Sequence, residues 1–138
     1  MNSNELIMPM AAMACLTLLV SLRMAIANTW ATLSKKVHIK HFRQFDIENI
    51  PNNLISISQH YKNMFEMPVL FYAWILILLF QQNWGQIDVN LAWAYVGFRV
   101  LHSISRIPNS NVHLRFGLFI GSYAALCWGW VRLICNLC

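Results

Sequence analysis

Apolar residues gather in four long stretches, at about 6–26, 63–80, 89–105 and 114–134, separated by polar or basic segments. Each is close to the roughly 20 residues that a helix needs to cross a bilayer, so the pattern predicts four transmembrane helices. The turn Gln81-Gln82-Asn83-Trp84-Gly85-Gln86-Ile87-Asp88 is short, as is Pro108-Asn109-Ser110-Asn111, which makes successive helices antiparallel neighbours. The predicted architecture is all-α: one domain over residues 1–138, an antiparallel four-helix membrane bundle. Residues 46–60, with Pro51 and the pattern Leu54, Ile55, Ile57, read as a short interfacial helix or an ordered loop. Ala25-Ile26-Ala27 imitates a signal-peptidase site. The run before it, however, holds Glu5 and no positive charge, so the first helix is read as retained.

Composition supports the membrane class. Of 138 residues, 58% are hydrophobic and only 11% charged, where a soluble domain carries about a quarter charged. The net charge of +5 does not point to nucleic acid, because the cations sit between the apolar stretches. There they act as topology signals and headgroup anchors. Lys35, Lys36, Lys40, Arg43 and Lys62 follow the first span, and Arg106 and Arg115 flank the last turn. The opposite side offers Glu5, Asp88 and Arg132. The basic loops are therefore expected to be cytoplasmic, with Trp84, Trp93, Trp128 and Trp130 forming an aromatic belt at the outer interface. The run Lys35 to Arg43 includes His38 and His41, yet its place directly after a span favours an anchor over a metal or phosphate patch. Cys15 and Cys127 lie within spans and read as small hydrophobes. Cys135 and Cys138 form a lone C-x-x-C at the chain end, too few ligands for zinc and without a redox-fold context. No set of residues reads as a metal site.

The candidate chemistry lies in the polar residues inside the spans. Glu66 stands one turn inside the second span, where an ionised carboxylate needs a partner or a wet cavity, and it is expected to point inward. In the third span Arg99, His102 and Arg106 share one helical stripe with Ser103. Arg115 begins the fourth span, and Arg23 lies near the end of the first, where it snorkels to the headgroups or reaches a cavity. The predicted topology brings these groups to about one depth near the cytoplasmic face. A buried salt-bridge network, Glu66 with Arg99 or Arg115, would explain part of this. One carboxylate cannot neutralise several cations, and the surplus suggests an anionic ligand or headgroup. His102 is either a general base or a hydrogen-bonded structural histidine. An ion channel is disfavoured, since the polar groups occupy one depth. Gly117, Gly121, Ala125 and Gly129 recur every four residues, a small-residue stripe for close packing within the bundle or against another subunit.

Three blocks resemble the MAPEG family, the membrane-associated proteins in eicosanoid and glutathione metabolism. Asn63-Met64-Phe65-Glu66-Met67-Pro68-Val69-Leu70-Phe71-Tyr72 is similar to the Phe-Glu-x-Pro-Val-Leu-Phe-Tyr pattern of bacterial members. Leu91 to Ser103, with Trp93, Arg99 and His102, resembles their third helix, and Val112 to Phe116, with Arg115, the start of their fourth. The resemblance implies a homotrimer in a bacterial inner membrane, binding glutathione between adjacent subunits near the cytoplasmic face. It implies catalytic roles for Arg115 and Arg99, and ligand contacts from Asn63, Glu66 and His102; Arg106 and Arg23 join these as candidate ligand contacts because their charge sits with the cluster. The function implied is a glutathione-dependent transferase or peroxidase acting on lipophilic electrophiles that partition into the membrane. Arg106 stands where some catalytic members have Tyr, and Met67 where one branch has Tyr. The alternative is a non-catalytic membrane protein that holds a lipid or protein partner in the same cleft.

Overall fold

The computed structural model describes residues 2–34, 52–106 and 111–137, which form four helices and no strand. They are α1 (Asn4–Leu33), α2 (Asn52–Gln81), α3 (Gln86–Arg106) and α4 (Val112–Leu137). The fold is all-α with four helices, as the hydrophobic pattern predicts. The basic run at 35–43, the start of the 46–60 segment, most of the last turn and Cys138 lie outside the described residues.

Local chemistry explains the helix ends. The Asn2 side chain accepts from the Asn4 N–H at 3.3 Å, covering one of the donors left over at the start of α1. Gln82 takes the left-handed conformation, φ 53°, and stops α2. Gly85 then opens α3: its carbonyl accepts from the Asp88 and Val89 N–H groups, and its own N–H donates to Asp88 Oδ2 at 2.8 Å. Asp88 thus reaches back one turn to the helix start, as in a capping box.

All four helices extend beyond the predicted spans, two of them by seven residues or more at one end. Helix α1 runs past residue 26 to Leu33, with the Thr29 and Thr32 hydroxyls donating to the Ala25 and Asn28 carbonyls at 2.8 and 2.9 Å. Those bonds satisfy the hydroxyls within the helix, so polar residues do not end it. Helix α2 starts at Asn52, so residues 52–60 are its first turns and not a separate element. Leu54, Ile55 and Ile57 are half-buried, and no Gly or Pro falls between Asn52 and Met67 to break the helix. Lys62, read as a loop residue, is an exposed position on α2. Helices α1, α2 and α4 are long and apolar enough to cross a membrane. Helix α3 is more polar, because it carries Asp88, Asn90, Arg99, His102 and Arg106.

The chain divides into two compact units, one of residues up to Leu16 with Glu66 onward, the other Thr17–Phe65. In the first, Phe71, Trp74, Ile75 and Leu78 of α2 are buried, as are Ala92, Tyr95 and Val96 of α3 and Leu126 and Leu133 of α4. Helices α3 and α4 run antiparallel, with Asp88 at the start of one paired to Arg132 near the end of the other. The small-residue stripe lets α4 approach α3 at Gly121 and α2 at Gly129. A Cβ on Gly121 would lie 2.8 Å from the Phe98 ring, and one on Gly129 2.6 Å from the Trp74 indole, whereas Gly117 faces open space. Gly129→Ala is therefore expected to cost about 1–3 kcal/mol by overpacking. Gly117→Ala is expected to be neutral or slightly stabilising. Thermal unfolding of both variants in detergent checks the contrast.

In the second unit Val20, Ala31, His60 and Met64 are buried. An open cleft of about 410 Å³ is lined there by Leu19, Leu22, Arg23, Ile26, Trp30 and Ile57. Large apolar side chains are exposed on all four helices, among them Leu18, Phe80, Trp93 and Phe116. Trp84 and Trp130, also assigned to the aromatic belt, are half-buried.

Candidate functional site

The C-terminal half of α3 and the first turns of α4 bring four of the predicted site residues together. Arg99, His102 and Arg106 fall on one face of α3 by their spacing. Arg99 and His102 are buried with Ser103 and Ser105, and Arg106 is half-buried. The antiparallel pairing of α3 and α4 sets Arg115 beside them. The charges of Arg99, Arg106 and Arg115 all act on the His102 ring, and that of Arg115 acts on Arg106. The Phe119 ring lies 6.3 Å from that of His102.

Arg99 is the deepest of the cations, 1% exposed. Its Nε donates to the Tyr95 hydroxyl at 3.2 Å. Its guanidinium carbon lies 5.5 Å from the Tyr95 ring centre and 5.8 Å from that of Phe119, within reach of a cation–π attraction. Its Nη1 is buried without a hydrogen-bond partner among the described residues, as are Nε and Nη1 of Arg106. Buried guanidinium donors left unpaired are costly, and an anion is the kind of group whose chemistry satisfies them.

Glu66 does not neutralise this cluster among the described residues. It is exposed on α2 and makes no ion pair among the described residues. The expectation that it points inward is thereby corrected, and the salt-bridge network weighed as an alternative, Glu66 with Arg99 or Arg115, does not form among the described residues. The reason is helical phase. Pro68, Phe71, Ile75 and Leu78 form the buried stripe of α2, and Glu66 is two residues from Pro68, about 200° around the helix, on the opposite face. Asn63 and Arg23 belong to the other unit, both half-buried. Arg23 is not near the end of its helix, since α1 runs on to Leu33, and it lines the apolar cleft instead of closing a helix terminus.

One pair is not evident in the sequence. Arg132 Nε donates to Asp88 Oδ1 at 3.0 Å and Nη2 to Oδ2 at 3.4 Å, while Asp88 also holds the Gly85 N–H. The available signal was a carboxylate three residues after a turn glycine, which marks a helix start. Its cation lay 44 residues away in the chain.

The arrangement of a polar face on α3 against the arginine that opens α4 corresponds to the Leu91–Ser103 and Val112–Phe116 blocks, and a family comparison decides the matter. The MAPEG family model matches residues 6–135. The chain belongs to the MAPEG family. Neither the curated proteins nor the solved structures compared with the chain gave a match. As a MAPEG protein with three strongly apolar helices, it is an integral membrane protein. Cys135 is exposed; its C-x-x-C partner Cys138 lies outside the described residues.

Proposed function

We propose that this MAPEG protein is a glutathione-dependent transferase or peroxidase acting on lipophilic electrophiles. The observation that carries the reading is the set of buried guanidinium donors of Arg99 and Arg106 that have no partner among the described residues, with Arg115 beside them. Glutathione supplies two carboxylates for such donors, and a thiol whose ionisation nearby positive charge favours. In this reading Arg99 and Arg106 bind carboxylates, Arg115 stabilises the thiolate, and His102 faces the ligand. An apolar electrophile reaches the sulfur from the lipid side. A homotrimer fits the exposure of Glu66: an adjacent subunit would cover that face of α2 and make the carboxylate available to the tripeptide's amino group. The basic loops would then face the cytoplasm of a bacterial inner membrane.

The test is ultraviolet difference spectroscopy on the purified detergent-solubilised protein. Thiolate absorbance that appears on adding glutathione, with conjugation of a model aryl halide, is the expected result; absence of both sinks the proposal. Arg106, at a position where some catalytic members carry a tyrosine, favours a second reading, a non-catalytic protein that holds an anionic lipid on the same cations. A co-purified acyl lipid that is not displaced by glutathione would support it.

A further inference from the structure

Tyr95 carries no charge, yet its hydroxyl lies against Arg99, the buried cation of the site. Tyr95 lies one turn before Arg99 on α3, its side chain fully buried. The Phe71 ring of α2 stacks on it at 4.5 Å between centroids and 12° between planes. Its hydroxyl oxygen accepts from Arg99 Nε. Phe71 in turn meets Trp74 edge-on at 6.1 Å, and Trp74 packs over Gly129 of α4. The phenol oxygen is thus held by a chain of rings that touches α2, α3 and α4, and it is not free to follow the guanidinium.

A guanidinium has two useful edges for a carboxylate, one built from Nε and one Nη, the other from the two Nη groups. The bond to Tyr95 occupies Nε and removes the first edge from use. The Tyr95 and Phe119 rings restrain the guanidinium itself. What remains is the far edge, where Nη1 is buried and has no hydrogen-bond partner among the described residues. We infer that Tyr95 is a positioning residue: it consumes the Nε donor of Arg99 so that the cation meets an incoming carboxylate end-on through its Nη edge. This deepens the glutathione reading and rests on it. Tyr95 itself does not touch the ligand. Its contribution is to hold an otherwise flexible side chain in the binding geometry before the ligand arrives, which removes an entropic cost from binding.

The experiment compares the unaltered protein with Tyr95→Phe, Arg99→Lys and the double variant, all in detergent. Tyr95→Phe keeps the ring stack on Phe71 and deletes only the hydroxyl. Glutathione titration by calorimetry is expected to show about tenfold weaker binding in Y95F, the scale of one charge-assisted hydrogen bond. R99K is expected to bind more weakly as well, and adding Y95F to R99K is expected to change nothing further, because lysine has no Nε–H for the phenol to hold. A general packing role would weaken both backgrounds alike. In the ligand-free protein, nitrogen–proton NMR supplies an independent readout: the Arg99 Nε–H signal, assigned by its loss in R99K, is expected to vanish in Y95F through exchange with water. If that signal survives in Y95F, or if Y95F weakens R99K as much as it weakens the unaltered protein, the positioning role is overturned. If R99K binds glutathione as the unaltered protein does, it is the glutathione reading that fails, whatever the NMR shows.

Discussion

Arg115→Ala is expected to cut glutathione conjugation about a hundredfold while leaving the melting temperature unchanged or raised. In the glutathione reading proposed above, the activity loss follows from removing the cation that would stabilise the thiolate, an electrostatic effect of a kind worth about 10²–10³ in rate. The stability expectation follows from the composition of the cluster. The charges of Arg99, Arg106 and Arg115 act together on His102, and Glu66 is exposed on α2 with no ion pair among the described residues. Like charges that act on one another in a partly buried site repel, so deleting one relieves the fold. Lost function with unchanged or improved stability is the mark of a site retained for its chemistry. A purely structural network would give the reverse, a lower melting temperature with unchanged glutathione affinity. Calorimetric unfolding together with initial-rate measurements on the same preparation separates the two.

The second large effect concerns the other end of α3 and α4, where Asp88 and Arg132 join the helices. Breaking an ion pair costs most when the partner left behind is buried. Here the two partners differ: the Asp88 side chain is 2% exposed and that of Arg132 27%. Arg132→Leu strands a carboxylate in the interior with, among the described residues, only the Gly85 N–H to hold it, and is expected to lower stability by about 3 kcal/mol. Asp88→Asn leaves a guanidinium that can turn outward to the headgroups, and keeps an oxygen to accept from Gly85. It is expected to cost about 1 kcal/mol. Denaturation in mixed micelles reads both. Equal losses, or a larger one for Asp88→Asn, would show that the cap at Gly85 outweighs the interhelical pair. Neither substitution touches Arg99, His102, Arg106 or Arg115, so glutathione binding by the folded fraction should be unaltered.

Helix number, type and membrane class were legible in the residues alone, because hydropathy and the 3.6-residue period are local properties that survive without knowledge of the fold. The polar stripe of α3 was legible for the same reason: Arg99, His102 and Arg106 share a face wherever that helix goes. The antiparallel order of α3 and α4 followed from the short turn between them, and it brings Arg115 to that stripe. Helix ends were less legible. Residues 27–33 and 52–60 look like loop because they are polar, yet hydroxyls that bond their own helix and a run without Gly or Pro let α1 and α2 continue.

Three matters were decided by tertiary structure. Which side of α2 packs inward depends on the rings of Phe71 and Trp74 finding Tyr95 and Gly129, and that choice sends Glu66 outward. The Asp88–Arg132 pair joins residues 44 apart, a distance over which no local pattern carries information. The hold of Tyr95 on Arg99 could be suspected from a four-residue spacing, but only the packing of α2 against α3 fixes the phenol oxygen at the guanidinium. A sequence states which groups share a helix face; the faces that meet are selected by side-chain shape, which takes effect only once the helices pack.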